Sequence, residues 1–153
     1  MTFLNDFAWP LLLWSGLAAY VLSTWVLMLL RKLGATRYLP RAYWSCVLTA
    51  GVGDVALVFA GLIRCLAMTA VFPIVYALLF QRMAGALVVP GLIVGAGHGL
   101  LAALILPLAA RRCPGALPPG FMGWKLGRLT PVVMLFVHAI YGALLGYVYV
   151  LAA

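Results

Sequence analysis

The stretch PGLIVGAGHGLLAALILP, residues 90–107, sets a histidine in the middle of a segment otherwise fit to cross a bilayer. Gly91, Gly95 and Gly99 recur every fourth position, and at 3.6 residues per turn His98 and Ala102 fall beside that row. One helix face is therefore almost bare backbone with an imidazole set into it. The stretch TPVVMLFVHAIYGALLGYVYVL, residues 130–151, repeats the device: His138, Gly142 and Gly146 recur at i, i+4 and i+8, with Tyr141 and Tyr149 on the same side. Matching small-residue faces predict that these two helices pack on each other.

Composition puts both segments in a membrane. Of 153 residues, 67% are hydrophobic and 8% charged, with mean hydropathy +1.19, whereas a soluble domain carries roughly a quarter charged residues. The expected fold is an all-α membrane bundle of four transmembrane helices, one domain over residues 1–153, with one interfacial or partly inserted helix between spans one and two. Four spans of about 20 residues each, with short connections, use the whole chain and leave no room for a soluble domain. MTFLNDFAW carries an acid and no cation before its apolar run, so no cleaved signal peptide is expected.

The spans read as residues 9–30, 58–80, 87–110 and 130–151. The 36 residues from Ser45 to Phe80 are too long for one span and barely enough for two, and charge decides between these readings. Two spans would set Arg111, Arg112, Lys125 and Arg128 opposite Arg31, Lys32, Arg37 and Arg41; one span puts all eight on one side and leaves Arg82 on the other. Residues 41–55 are then a lying or partly inserted helix broken by Gly51 and Gly53, and Pro73 is expected to kink the span that follows. Thr130 reads as the N-cap of the last span, with Pro131 at its first helical position.

This asymmetry predicts a bacterial cytoplasmic (inner) membrane protein with its basic loops inside, against anionic lipid headgroups, and both termini outside. Cations confined to short flanking loops make nucleic acid an unexpected partner. The three cysteines, Cys46, Cys65 and Cys113, are odd in number and lack CxxC spacing, so free thiols without a metal are expected.

Three polar side chains fall at membrane depth: Arg64, His98 and His138, which could share one level. Arg64 is expected to snorkel to a lipid phosphate or a loop carbonyl, and each histidine to bond a neighbouring backbone group or tyrosine hydroxyl; Tyr141 and Tyr149 are further polar groups within the membrane. The sharper alternative is a cofactor held by His98, His138 or both, a b-type haem or a chlorophyll-type pigment. Small-residue faces argue for direct helix contact instead, which leaves no room for a porphyrin between the helices. Two histidines without a nearby carboxylate or thiol are too few for zinc or copper. With Asp6 and Asp54 the only acids, no carboxylate pair can divide acid and base roles, and an enzyme is not expected.

Three stretches, GLIRCLAMTAVFPIVYALLF, GLIVGAGHGLLAALILPL and PGFMGWKLGRLTPVVMLFVHAIYGALLGYVY, carry a resemblance. Over residues 61–149 the chain resembles a family of small bacterial four-span membrane proteins carrying a domain of unknown function. The shared pieces are GxxHG (Gly95, His98, Gly99) and HxxYGxxxGxxY (His138, Tyr141, Gly142, Gly146, Tyr149). The resemblance implies a four-helix bundle and supplies no activity. Where that family often has His-Pro after span three, this chain has Cys113-Pro114, which removes a third histidine from any ligand set there.

The function expected from these features is that of a small accessory or scaffold subunit, docked against other membrane protein subunits of a respiratory or photosynthetic assembly and without catalysis of its own. A haem- or pigment-binding bundle is the alternative, and a small pore or carrier the third reading.

Overall fold

The computed structural model describes residues 9–83, 87–113 and 116–152. Asp6, Pro114 and the expected disposition of the termini lie outside these. The described residues form helices α1 (Trp9–Lys32), α2 (Pro40–Thr49), α3 (Asp54–Leu66), a π turn (Ala67–Val71), α4 (Phe72–Phe80), α5 (Val88–Ala110), a short 3₁₀ helix (Phe121–Leu126) and α6 (Thr130–Ala152), with no strand among them. Four stretches are long and apolar enough to cross a membrane: Trp9–Lys32, Asp54–Phe80, Val88–Ala110 and Thr130–Leu151. The protein is an all-helical, multi-pass membrane protein.

Only one span lies between Ser45 and Phe80, but its boundaries differ from the expected 41–55 and 58–80. Helix α2 ends at Thr49, and Ala50 turns left-handed at φ 54°. The Ser45 hydroxyl donates to the freed Gly51 carbonyl. Asp54 then opens the next helix, where a carboxylate complements the positive end of the helix dipole. This early start makes the second span continuous from residue 54 to 80.

Pro73 acts through a π turn just before it. The Phe72 N–H reaches back five residues to the Ala67 carbonyl. Proline has no N–H of its own. The Met68 carbonyl thus loses both intrahelical donors that could reach it, and the Tyr141 hydroxyl of α6 donates to it instead.

Helices α5 and α6 form the most extensive interface, with backbone against backbone. A Cβ at Gly95 would overlap the His138 carbonyl oxygen and come 2.9 Å from Ala139 Cα; one at Gly99 would lie 2.6 Å from the Met134 carbonyl oxygen. Gly91 and Gly142 face each other's carbonyls, and Gly146 faces that of Leu87. Since lipid tails are as apolar as leucine, close approach of this kind is what holds helices together in a bilayer. Helix α1 closes the bundle through buried Ser15, Ala19 and Ser23. The two serine hydroxyls donate back to Leu12 and Tyr20 carbonyls of their own helix, at 2.7 and 3.1 Å, so this seam is satisfied without a polar partner.

Both basic connections lie at one end of the bundle. The Arg37 N–H donates to the Leu126 carbonyl at 2.6 Å, and the Thr36 and Thr130 hydroxyls are 2.7 Å apart. The hydroxyl read as an N-cap is thus engaged with the loop after α1. At the same end α2 lies across α5, and its Tyr43 hydroxyl donates to the Leu117 carbonyl at 2.9 Å.

That crossing corrects the expectation of three free thiols. Cys46 and Cys113 form a disulfide, with Cα atoms 5.2 Å apart, and Cys65 alone is free. The pairing arises because α2 folds back over the C-terminal end of α5, a tertiary event that a 67-residue separation does not announce.

Candidate functional site

The site grows from one face of the second span. Arg64, Met68, Phe72 and Tyr76 recur every fourth residue, a spacing that drifts around a helix of 3.6 residues per turn. The wider π turn between Met68 and Phe72 takes back part of the drift, and the row keeps facing the bundle. With the helix running from residue 54 to 80, Arg64 lies three residues from its middle, roughly 4–5 Å along the axis. It sits deeper than the expected boundaries implied.

Facing this row is a chamber of about 90 Å³. Ser23 lines it from α1, Arg64, Met68 and Phe72 from the second span, His98 from α5, and His138 and Tyr141 from α6, with Tyr38, Pro40 and Trp44 closing it at the basic end. The two imidazoles lie edge to face with centroids 4.8 Å apart, and Phe72 covers His98 at 4.5 Å. His138 Nδ1 is 2.7 Å from the Met134 carbonyl oxygen. A carbonyl only accepts, so Nδ1 carries the proton in the neutral ring and Nε2 keeps its lone pair. His98 Nδ1 lies 3.3 Å from the Tyr76 hydroxyl.

Among the described residues, Arg64 makes one hydrogen bond and one π contact, both with Tyr20. Its Nη1 donates to the hydroxyl at 3.2 Å, and the guanidinium carbon is 5.0 Å from the ring centroid. Burial holds the Tyr38 hydroxyl above its ordinary pKa, with the Arg64 charge pulling partly the other way. Burial also pushes Tyr43, on the helix above, up to about 12. Both phenols are neutral donors at physiological pH.

Beside the chamber runs an apolar groove of about 370 Å³ between α2 and α5. Tyr43, Trp44 and Val47 form one wall, and Leu101, Ile105, Leu106 and Ala109 the other. Chamber and groove adjoin along Tyr38, Trp44, Phe72, His98 and Ala102. A polar recess at membrane depth and an apolar channel thus meet at one histidine.

The structure brings together Arg64, His98, His138 and Tyr141 from the candidate residues. It leaves Tyr149 aside, where it packs on Phe80 at 5.6 Å. Gly91, Gly95, Gly99, Gly142 and Gly146 form the seam behind the two rings. Sequence marks none of Tyr20, Ser23, Tyr38, Trp44, Phe72 or Tyr76 as a site residue. The four-residue row from Arg64 could have flagged Phe72 and Tyr76, whereas the groove depends on where α2 folds back, which no spacing encodes.

Contact between the α5 and α6 backbones leaves no slot for a macrocycle between them. Among the described residues, no three His, Cys, Asp or Glu side chains converge as metal ligands. Comparison with protein-family models, with characterised proteins and with solved structures finds no match to the chain, so the chamber itself carries what can be inferred about function.

Proposed function

We propose that this chain is a small, non-catalytic binding protein of a bacterial cytoplasmic membrane, which holds a lipid-soluble ligand with its polar end in the chamber and its apolar part in the groove beneath α2. The observation that carries this reading is the adjacency of the two spaces at His98. Pockets for small molecules are mostly apolar, with a few convergent polar groups to fix orientation. The basic end would face the cytoplasm, where Arg31, Arg37, Arg111 and Arg112 meet anionic headgroups.

Gently solubilised protein, extracted with organic solvent and analysed by mass spectrometry, should yield a small amphiphile in near-stoichiometric amount. Leu101→Trp, which fills the groove from a lipid-exposed position, should lose it. A purified wild-type protein that carries no such molecule, and that no membrane extract stabilises against heat, removes the reading.

A second reading, an accessory subunit of a larger membrane assembly, is favoured by the second span. Only 11% of its most apolar stretch is buried in the bundle, against 28% to 39% for the other three. Val55, Val58, Leu62 and Leu66 project from α3 without cover. Native purification tests it: a chain that always migrates alone ends it. Haem or pigment binding would appear as a Soret or chlorophyll band lost on His98→Ala or His138→Ala, and a pore or carrier as liposome flux dependent on Arg64.

A further inference from the structure

We infer that the ligand of this site is a single-chain amphiphile with a carboxylate head, ion-paired with Arg64 in the chamber and extended along the groove; the inference rests on the binding reading above. Arg64 is a permanent cation three residues from the middle of its span. A charge at that depth is costly unless it is paired or reaches water. Among the described residues no counter-ion is within reach. The chain has two acids, and the described one, Asp54, lies ten residues away on the same helix, roughly 15 Å at 1.5 Å per residue. The contacts that Arg64 does make, the Tyr20 hydroxyl and ring, stabilise a cation without neutralising it.

An incoming anion supplies what these surroundings lack, and the size of the chamber selects among anions. At about 90 Å³ the chamber is the smaller of the two adjoining spaces, against about 370 Å³ for the groove. A compact head suits it, and a carboxylate, with three heavy atoms, is the smallest organic anion that presents two oxygens to a guanidinium. A guanidinium fork matches a carboxylate's two oxygens, a geometry that strengthens the pair. Beyond the head, the groove wall of Leu101, Ile105 and Leu106 offers hydrocarbon contact and no charge. The groove lies between one pair of helices, α2 and α5, and the inferred ligand lays one chain along it.

The test uses the full-length protein in nanodiscs of phosphatidylcholine, with palmitate, methyl palmitate and phosphatidylglycerol competing against a fluorescent long-chain fatty acid. Palmitate should bind roughly ten- to a hundredfold more tightly than its methyl ester. Arg64→Gln should reduce palmitate to the level of the ester, and Arg64→Lys, which keeps the charge, should retain most of the preference. Equal binding of acid and ester to the wild-type protein overturns the inference and leaves the binding reading standing, because the groove is still occupied. Phosphatidylglycerol competing as well as palmitate overturns the single-chain carboxylate in favour of a lipid headgroup. If neither palmitate nor its ester binds, and Leu101→Trp behaves as wild type, the binding reading falls and takes the inference with it.

Discussion

The Tyr141 hydroxyl donates to the Met68 carbonyl oxygen across 2.5 Å, tying α6 to the π turn of the second span. The bond closes a vacancy that Pro73 creates. Tyr141→Phe should therefore strand a buried carbonyl and lower the melting temperature by several degrees, a cost of about 1 kcal/mol. In a Pro73→Ala background the restored N–H lets the helix close its own ladder, so Tyr141→Phe should cost much less there. Thermal unfolding of the four proteins of this cycle measures the coupling, and strict additivity would show that the proline and the tyrosine act independently.

The three glycines of α5 that meet α6 differ physically from the one that does not. Gly95→Leu forces a side chain into the His138 carbonyl and Ala139, whereas a Cβ at Gly97 meets nothing within 4 Å. Gly95→Leu should separate the helices, cost more than about 3 kcal/mol, and cut the yield of monodisperse protein. Gly97→Leu, on the same helix and with the same gain in bulk, should melt within a degree or two of wild type. Equal damage from both would mean that helix propensity, not the seam, sets the stability of α5.

Those glycines also show what a sequence makes legible. Their four-residue period is a local property, so the pairing of α5 with α6 follows from sequence, as do the four spans. The level shared by Arg64, His98 and His138 follows in the same way, from counting along helices of known rise. The groove is different in kind: Val47 and Leu106 become opposite walls only once α2 has turned back at Ala50, and nothing near either residue encodes that turn beyond two glycines. The disulfide is hidden for the same reason. Pro73 announces a defect in its helix but not the outcome, because whether a proline bends a helix or widens it depends on a partner such as Tyr141, 68 positions away.

With Cys46 and Cys113 joined, Cys65 should be the one thiol that reacts with maleimide in unreduced, denatured protein, and reduction should raise the count to three. Cys46→Ser with Cys113→Ser should lower the melting temperature. For a free chain, closing a 67-residue separation is worth about 4 kcal/mol. Helices already threaded through a bilayer have less freedom to lose, so the loss should be smaller. Three reactive thiols before reduction would show that α2 is not fastened to α5 by this bond.

The backbone bond from Arg37 to Leu126 holds the connection after α1 against the 3₁₀ helix that follows α5. Two loops joined in this way cannot be on opposite sides of a membrane. In a Cys65→Ser background with the native disulfide intact, Lys32→Cys and Arg111→Cys should react with a membrane-impermeant maleimide from the same face, and Arg82→Cys, beyond the far end of α4, from the other. Eight cations clustered at the first end should orient it toward the cytoplasm. The Cys46–Cys113 bond lies at that same end, and in the cytoplasm free glutathione keeps most thiols reduced. The bond can persist there because Cys46 is 0% and Cys113 2% exposed, so that α2 shields it from aqueous reductant. Inverted vesicles should therefore expose the thiols introduced by Lys32→Cys and Arg111→Cys while leaving the native pair unlabelled until denaturant loosens α2 and a reductant then opens the bond. Labelling of the two engineered sites from opposite faces would break the bundle apart at its best-defined backbone contact.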